Sequence, residues 1–170
     1  LLLASAIQGF AAGVERLSVP SASMNKEIPV LVVLPDIALA SEGKSCPVVY
    51  LLHGYGGNAE TWLTVKPDLP QIADQKGIIF VCPDAQNSWY WDSPVDSAFR
   101  YETFVASELV GYIDLHYKTI AERKGRAIAG LSMGGHGALW IAFRHQDAFG
   151  ACGSMSGCAD IRPFPNNWEI

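Results

Sequence analysis

Gly130-Leu131-Ser132-Met133-Gly134 joins an apolar run, Arg126 to Leu131, to a stretch of helix formers from Gly134 to His145. The bare pattern G-x-S-x-G is weak evidence, but a strand that enters it and a helix that leaves it are not. A serine on so sharp a turn takes a strained backbone, and the flanking glycines remove the side chains that would clash. The helix start behind it favours negative charge that develops on a neighbouring atom. Ser132 is therefore the candidate nucleophile. A glycine-rich turn with an incidental serine is the alternative, and it leaves that context unexplained.

Other runs supply the sheet that such a turn requires. Gly13 to Pro20 and Ile28 to Leu34 are β-rich and joined by a polar turn, which predicts an antiparallel pair. Pro47 to Leu52 and Ile78 to Cys82 are continuous apolar runs, as expected of strands buried on both faces. Helical stretches are predicted at Leu69 to Lys76, ended by Gly77, and at Tyr101 to Tyr117, where Val105, Leu109, Tyr112 and Ile113 recur at helical spacing. Phe149 to Met155 reads as a further strand. Strands alternating with helices after an initial β-pair predict an α/β fold with a mostly parallel, doubly covered sheet. The sheet is expected to stop after about its sixth strand.

At 170 residues the chain suits one domain. Hydrophobic residues at 49% and charged residues at 17% exclude a disordered chain, and a net charge of −5 argues against nucleic acid as a partner. No run reaches the ~18 apolar residues of a membrane span. Leu1 to Ile7, followed by Gly9, Ala11 and Ala12, reads as the remnant of a signal peptide over residues 1–12, which points to a secreted or periplasmic protein. Cys46 would enter one strand and Cys82 leave the next, so parallel strands hold them apart. Cys152 and Cys158 are too far apart to bridge if extended. Buried free thiols are expected for all four.

His53-Gly54-Tyr55-Gly56-Gly57 follows the buried strand at Leu52. A loop there can turn a backbone N–H toward the serine, and the N–H groups of Tyr55 and Met133 are assigned as oxyanion donors. The same stretch offers a rival, because Gly54-x-Gly56-x-x-Ala59 with Asp84 fits a dinucleotide fingerprint. Pro67 and Pro70 interrupt the helix that reading needs, and the strand would be third in the sheet rather than first. Trp89, Tyr90 and Trp91 lie on the loop from Pro83 to Asp96. They either line the substrate pocket or pack the loop down. His136, one turn beyond Ser132, is assigned to the pocket wall or to helix packing. His53 is expected to hold its loop by hydrogen bonding, and His116 and His145 to close helices. No spacing suggests a metal site, and no cofactor is implied.

These motifs, with Asn58, Pro83-Asp84, Asn87-Ser88-Trp89-Tyr90, Tyr101-Glu102-Thr103-Phe104 and Glu108-Leu109, resemble the esterase D family of α/β-hydrolases. That family includes S-formylglutathione hydrolases, feruloyl and acetylxylan esterases, tributyrin esterases and mycolyltransferases. The resemblance spans roughly residues 13 to 170, which would make them the N-terminal two-thirds of such a domain. It implies ester hydrolysis through Ser132, with Tyr55 and Met133 as donors and a small-molecule or carbohydrate ester as substrate. It also implies a triad acid and histidine beyond two further strands, hence beyond Ile170, since no histidine follows His145. Asp160 follows the last strand, where some relatives of the fold keep an acid, but the resemblance does not put one there. A serine acyltransferase, and a non-catalytic carbohydrate-binding relative if the chain is naturally this short, remain the alternatives.

Overall fold

The computed structural model describes residues 13–40 and 42–160. The proposed signal-peptide remnant lies outside them. Six strands form one sheet: β1 (Gly13–Ser21), β2 (Lys26–Leu34), β3 (Val48–Leu52), β4 (Ile79–Pro83), β5 (Arg126–Leu131) and β6 (Ala151–Met155), in the order β1-β2-β4-β3-β5-β6. β1 and β2 are antiparallel, and β2 lies antiparallel to β4. The other three pairings, β4 with β3, β3 with β5 and β5 with β6, are parallel. The apolar runs thus occupy the centre of the sheet, where both faces are covered.

One face is packed by α4 (Tyr101–Thr103), a π-helix (Phe104–Leu109) and α5 (Val110–His116), which run on from one another, and by α6 (Met133–Arg144). Tyr50, Val81, Ile128, Phe104, Leu109, Ile113 and Ile141 meet there. The opposite face is packed by α2 (Thr61–Val65) and α3 (Leu69–Lys76), through Trp62, Leu69 and Ala73 against Leu31, Leu51, Phe80 and Cys82. Gly77 closes α3 in the left-handed conformation, at φ 64°. A short α1 (Asp36–Leu39) follows β2, and α1 and α2 are both elements that the hydrophobic pattern does not reveal.

Boundaries differ from expectation by a residue or two at most elements. The last strand begins at Ala151 rather than Phe149, because Phe149 turns inward to stack edge-on against Tyr50. The helix predicted over Tyr101 to Tyr117 follows that course, but with its middle wound as a π-helix. All four cysteines are free, with Cys46 and Cys82 buried as expected. Cys152 is exposed and Cys158 only half-buried, contrary to expectation; Cys152 lies on β6, the edge of the sheet among the described residues. Among those residues no helix is long and apolar enough to cross a membrane.

Candidate functional site

β3 and β5 are parallel neighbours, with Leu52 opposite Gly130. Their following loops therefore leave the same end of the sheet side by side, and they carry the two motifs that the sequence singles out. Ser132 sits between β5 and α6 at φ 55° and ψ −114°, a backbone that a residue with a side chain rarely adopts. Its N–H donates to the carbonyl of Met155 at 2.8 Å, and its carbonyl accepts from His136 N–H at 3.0 Å. The strained turn is thus fixed from both sides. The residue is exposed, and its hydroxyl makes no hydrogen bond among the described residues.

The glycines on either side have a steric reason. A Cβ at Gly130 would lie 2.1 Å from the carbonyl oxygen of Gly134, and one at Gly134 would lie 2.2 Å from that of Leu52. Backbone meets backbone at both points, so neither neighbour can give way. The start of the twelve-residue α6 is thereby pressed against the end of β3, and Met133 N–H opens the helix beside Ser132. Met133 itself is fully buried.

The loop after β3 comes equally close, since a Cβ at Gly54 would sit 3.5 Å from Ser132 Cβ. His53, almost wholly buried, accepts the Ala85 N–H at Nε2 (2.9 Å). A backbone amide only donates, so Nε2 carries the lone pair and Nδ1 the proton, which goes to the Gly54 carbonyl at 2.7 Å. Burial pushes this imidazole below its ordinary 6.5, against the opposing pull of the Gly54 carbonyl and of Asp84. Gly56 N–H donates to Asn87 Oδ1 at 2.8 Å, and Tyr90 Oη donates to the His53 carbonyl at 3.0 Å. The Tyr55 side chain is about half exposed.

The three aromatic candidates part company. Tyr90 is fully buried, with its ring against Gly137 and its hydroxyl on His53, so it packs the loop down and presents no face to a ligand. Trp89 and Tyr90 both have positive φ, 56° and 62°. This strain turns Tyr90 inward while its neighbours stay half-buried. Trp91 donates from Nε1 to His136 Nε2 at 2.8 Å and packs its ring, tilted by 32°, against Trp140 with the centroids 5.1 Å apart. His136 gives its Nδ1 proton to the Cys158 carbonyl at 2.6 Å. Both of its nitrogens are engaged, burial pushes it below 6.5, and it is a strut between the aromatic loop and the segment after β6. Trp89 meets the same ring edge-on at 5.6 Å.

Asp84 caps the turn at Gln86 N–H, and α2 starts only at Thr61, so no helix begins at the glycines as a dinucleotide site would need. Asp160 is exposed. His116 and His145 lie at the ends of α5 and α6, His116 on the Tyr112 carbonyl and His145 on Glu102. Among the described residues no group of three or more metal-ligating side chains gathers.

Glu102 is a residue whose role sequence reasoning left unassigned. It is buried, and it accepts from Trp140 Nε1 (2.7 Å), Arg144 Nε (2.7 Å) and His145 Nε2 (2.9 Å), all at the far end of α6. Burial alone would raise its pKa, but the bonds from Arg144, Trp140 and His145 outweigh it and hold the carboxyl below its usual 4.5. The only signal in the sequence was its place beside Tyr101 and Thr103.

A family model described as "Putative esterase" matches residues 21–169. The chain belongs to this esterase family. Esterase Rv1288 of Mycobacterium tuberculosis (strain ATCC 25618 / H37Rv) is 40% identical over 137 residues, which cover 78% of this chain and 30% of that protein. The diacylglycerol acyltransferase/mycolyltransferase Ag85A of Mycobacterium bovis (strain BCG / Pasteur 1173P2) is 33% identical over 157 residues, 86% of this chain and 44% of that protein. A solved ferulic acid esterase superposes with a TM-score of 0.76 at 34% identity, covering 88% of this chain and 59% of that one. The chain thus has the α/β-hydrolase fold, and the family resemblance read from its motifs holds. It spans less than half the length of these two curated relatives.

Proposed function

We propose that the full-length protein is a serine carboxylic-ester hydrolase that works through an acyl-enzyme on Ser132. Ser132 Oγ adds to the ester carbonyl while a base takes its proton. The oxyanion is received by the N–H groups of Tyr55 and Met133, and the alcohol leaves with the proton. Water then repeats the sequence on the acyl group. The base and its acid are assigned to the length of the relatives that these 170 residues do not span. Carbohydrate-linked or short-chain esters are the proposed substrates, with Trp89, Trp91 and His136 forming the wall behind the serine. Residues 1–12 are proposed as the remnant of an export signal, and 13–170 as the N-terminal two-thirds of the domain.

The observation that carries this reading is the exposed, strained Ser132, held at the start of α6 directly beside the Gly54 loop. A fluorophosphonate probe should label Ser132 in the full-length enzyme, and Ser132→Ala should abolish labelling and lower ester turnover by about 10³-fold or more. Labelling of another serine with Ser132 untouched refutes the assignment. The likeness to Ag85A favours one second reading, acyl transfer to an alcohol in place of water. Product analysis with a sugar or glycerol acceptor present separates the two.

A further inference from the structure

The loop after β3 is tied at three successive peptide groups, by Tyr90, by His53 together with Gly57, and by Asn87. Tyr90 Oη holds the His53 carbonyl, and Asn87 Oδ1 holds the Gly56 N–H. Between them lies the Gly54–Tyr55 peptide, whose carbonyl takes two donors, the His53 Nδ1–H at 2.7 Å and the Gly57 N–H at 3.0 Å. A peptide unit is planar, and among the described residues none is cis. Fixing the Gly54 carbonyl therefore fixes the direction of the Tyr55 N–H, which points the opposite way. Gly57 has room for this arrangement only because it lacks a side chain, since a Cβ there would lie 2.9 Å from His53 Nδ1.

We infer that His53 is a positioning residue for the oxyanion site, acting as its Nδ1–H tautomer through the single peptide that carries the Tyr55 N–H. The inference rests on the reading of Ser132 and Tyr55 given above and adds the device that orients the donor. The Ala85 N–H selects the tautomer at Nε2, so a backbone amide at the end of β4 decides which nitrogen can hold the loop after β3. The imidazole touches no reacting atom. Its contribution is made before substrate arrives, by sparing the site the reorganisation that a loose donor would need.

Two substitutions separate this role from simple packing. Asparagine carries an amide nitrogen near the place of Nδ1, so His53→Asn can still donate to Gly54 but cannot reach Ala85. Glutamine reaches the place of Nε2, so His53→Gln can accept from Ala85 but leaves the Gly54 carbonyl without its side-chain donor. In the full-length enzyme His53→Gln should lower kcat by about 10²-fold with little change in KM, because an oxyanion contact exists only in the transition state. His53→Asn should keep kcat within about tenfold of wild type. Nitrogen-15 correlation spectra of the wild-type imidazole should show the proton on Nδ1, and this reading needs neither variant to fold. A proton on Nε2, or equal losses of kcat in the two variants tracking equal losses of melting temperature, overturns the inference. Fluorophosphonate labelling of wild-type Ser132 checks the underlying reading separately, since an unlabelled serine with the Nδ1–H tautomer intact counts against the nucleophile and not against the loop's anchor.

Discussion

Replacing Glu102 by glutamine tests whether one buried carboxylate holds α6, and with it Ser132, against the rest of the domain. Three donors converge on it. Trp140 loses a bond to a charged acceptor, worth about 1.5–3 kcal/mol. The Arg144 side chain is 55% exposed, so that pair contributes no more than about 1 kcal/mol, and the partly exposed His145 contributes less. A glutamine oxygen can satisfy one donor, but its amide then faces another. The expected loss is about 3 kcal/mol, which for a domain of this size lowers the melting temperature by about 6–12 °C. Thermal unfolding followed by near-ultraviolet circular dichroism measures it, with Arg144→Ala as the control that should cost about 1 kcal/mol or less. The carboxyl is held below its usual 4.5, so its contribution is fully present above that value and is lost as pH falls through the lowered one. The gap between wild type and Glu102→Gln should therefore close in acid. A loss under about 1 kcal/mol at neutral pH, or a gap that does not narrow below pH 4.5, would refute the reasoning.

Two more expectations follow from groups already described. His53 and His136 are buried neutral, with folded pKa values pushed below 6.5, so the unfolded chain binds more protons just under that pH. Stability to urea should then fall as pH drops below 6.5, by up to about 1.4 kcal/mol per unit for each imidazole, and a flat profile between pH 7 and 5 would count against both assignments. Gly130→Ala should leave little folded protein, because its methyl would meet the Gly134 carbonyl with no flexible atom to yield. A cooperative melt within a few degrees of wild type would contradict that.

The parts of the fold legible in the sequence were those set by local pattern. The apolar runs at Val48, Ile79 and Arg126 became central strands, and Leu69 to Lys76 became a helix closed by Gly77. The serine turn was legible because strand, glycines and helix are contiguous. What stayed hidden depends on distant partners. Glu102 has no role that its own segment reveals, because its partners Trp140 and Arg144 stand some forty positions away. Tyr90 looks like its neighbours Trp89 and Trp91, and only the positive φ of the loop turns it inward. The π-helix at Phe104–Leu109 leaves the apolar spacing of Val105, Leu109 and Ile113 intact, so periodicity cannot distinguish it from an α-helix.

The pairing of Leu52 with Gly130 joins strands that stand roughly 80 residues apart along the chain. Closing so long a loop adds little to the equilibrium cost, since each doubling of length adds only about 0.6 kcal/mol, but it slows the search for the native arrangement. Neither half of the candidate site has the other nearby until that search ends. A chain emerging from the ribosome can form α6 with Ser132 at its tip and still lack the loop from His53 to Gly57 beside it. If Ser132 is the nucleophile proposed above, its first labelling by a serine-directed reagent during refolding should time the docking of β5 onto β3.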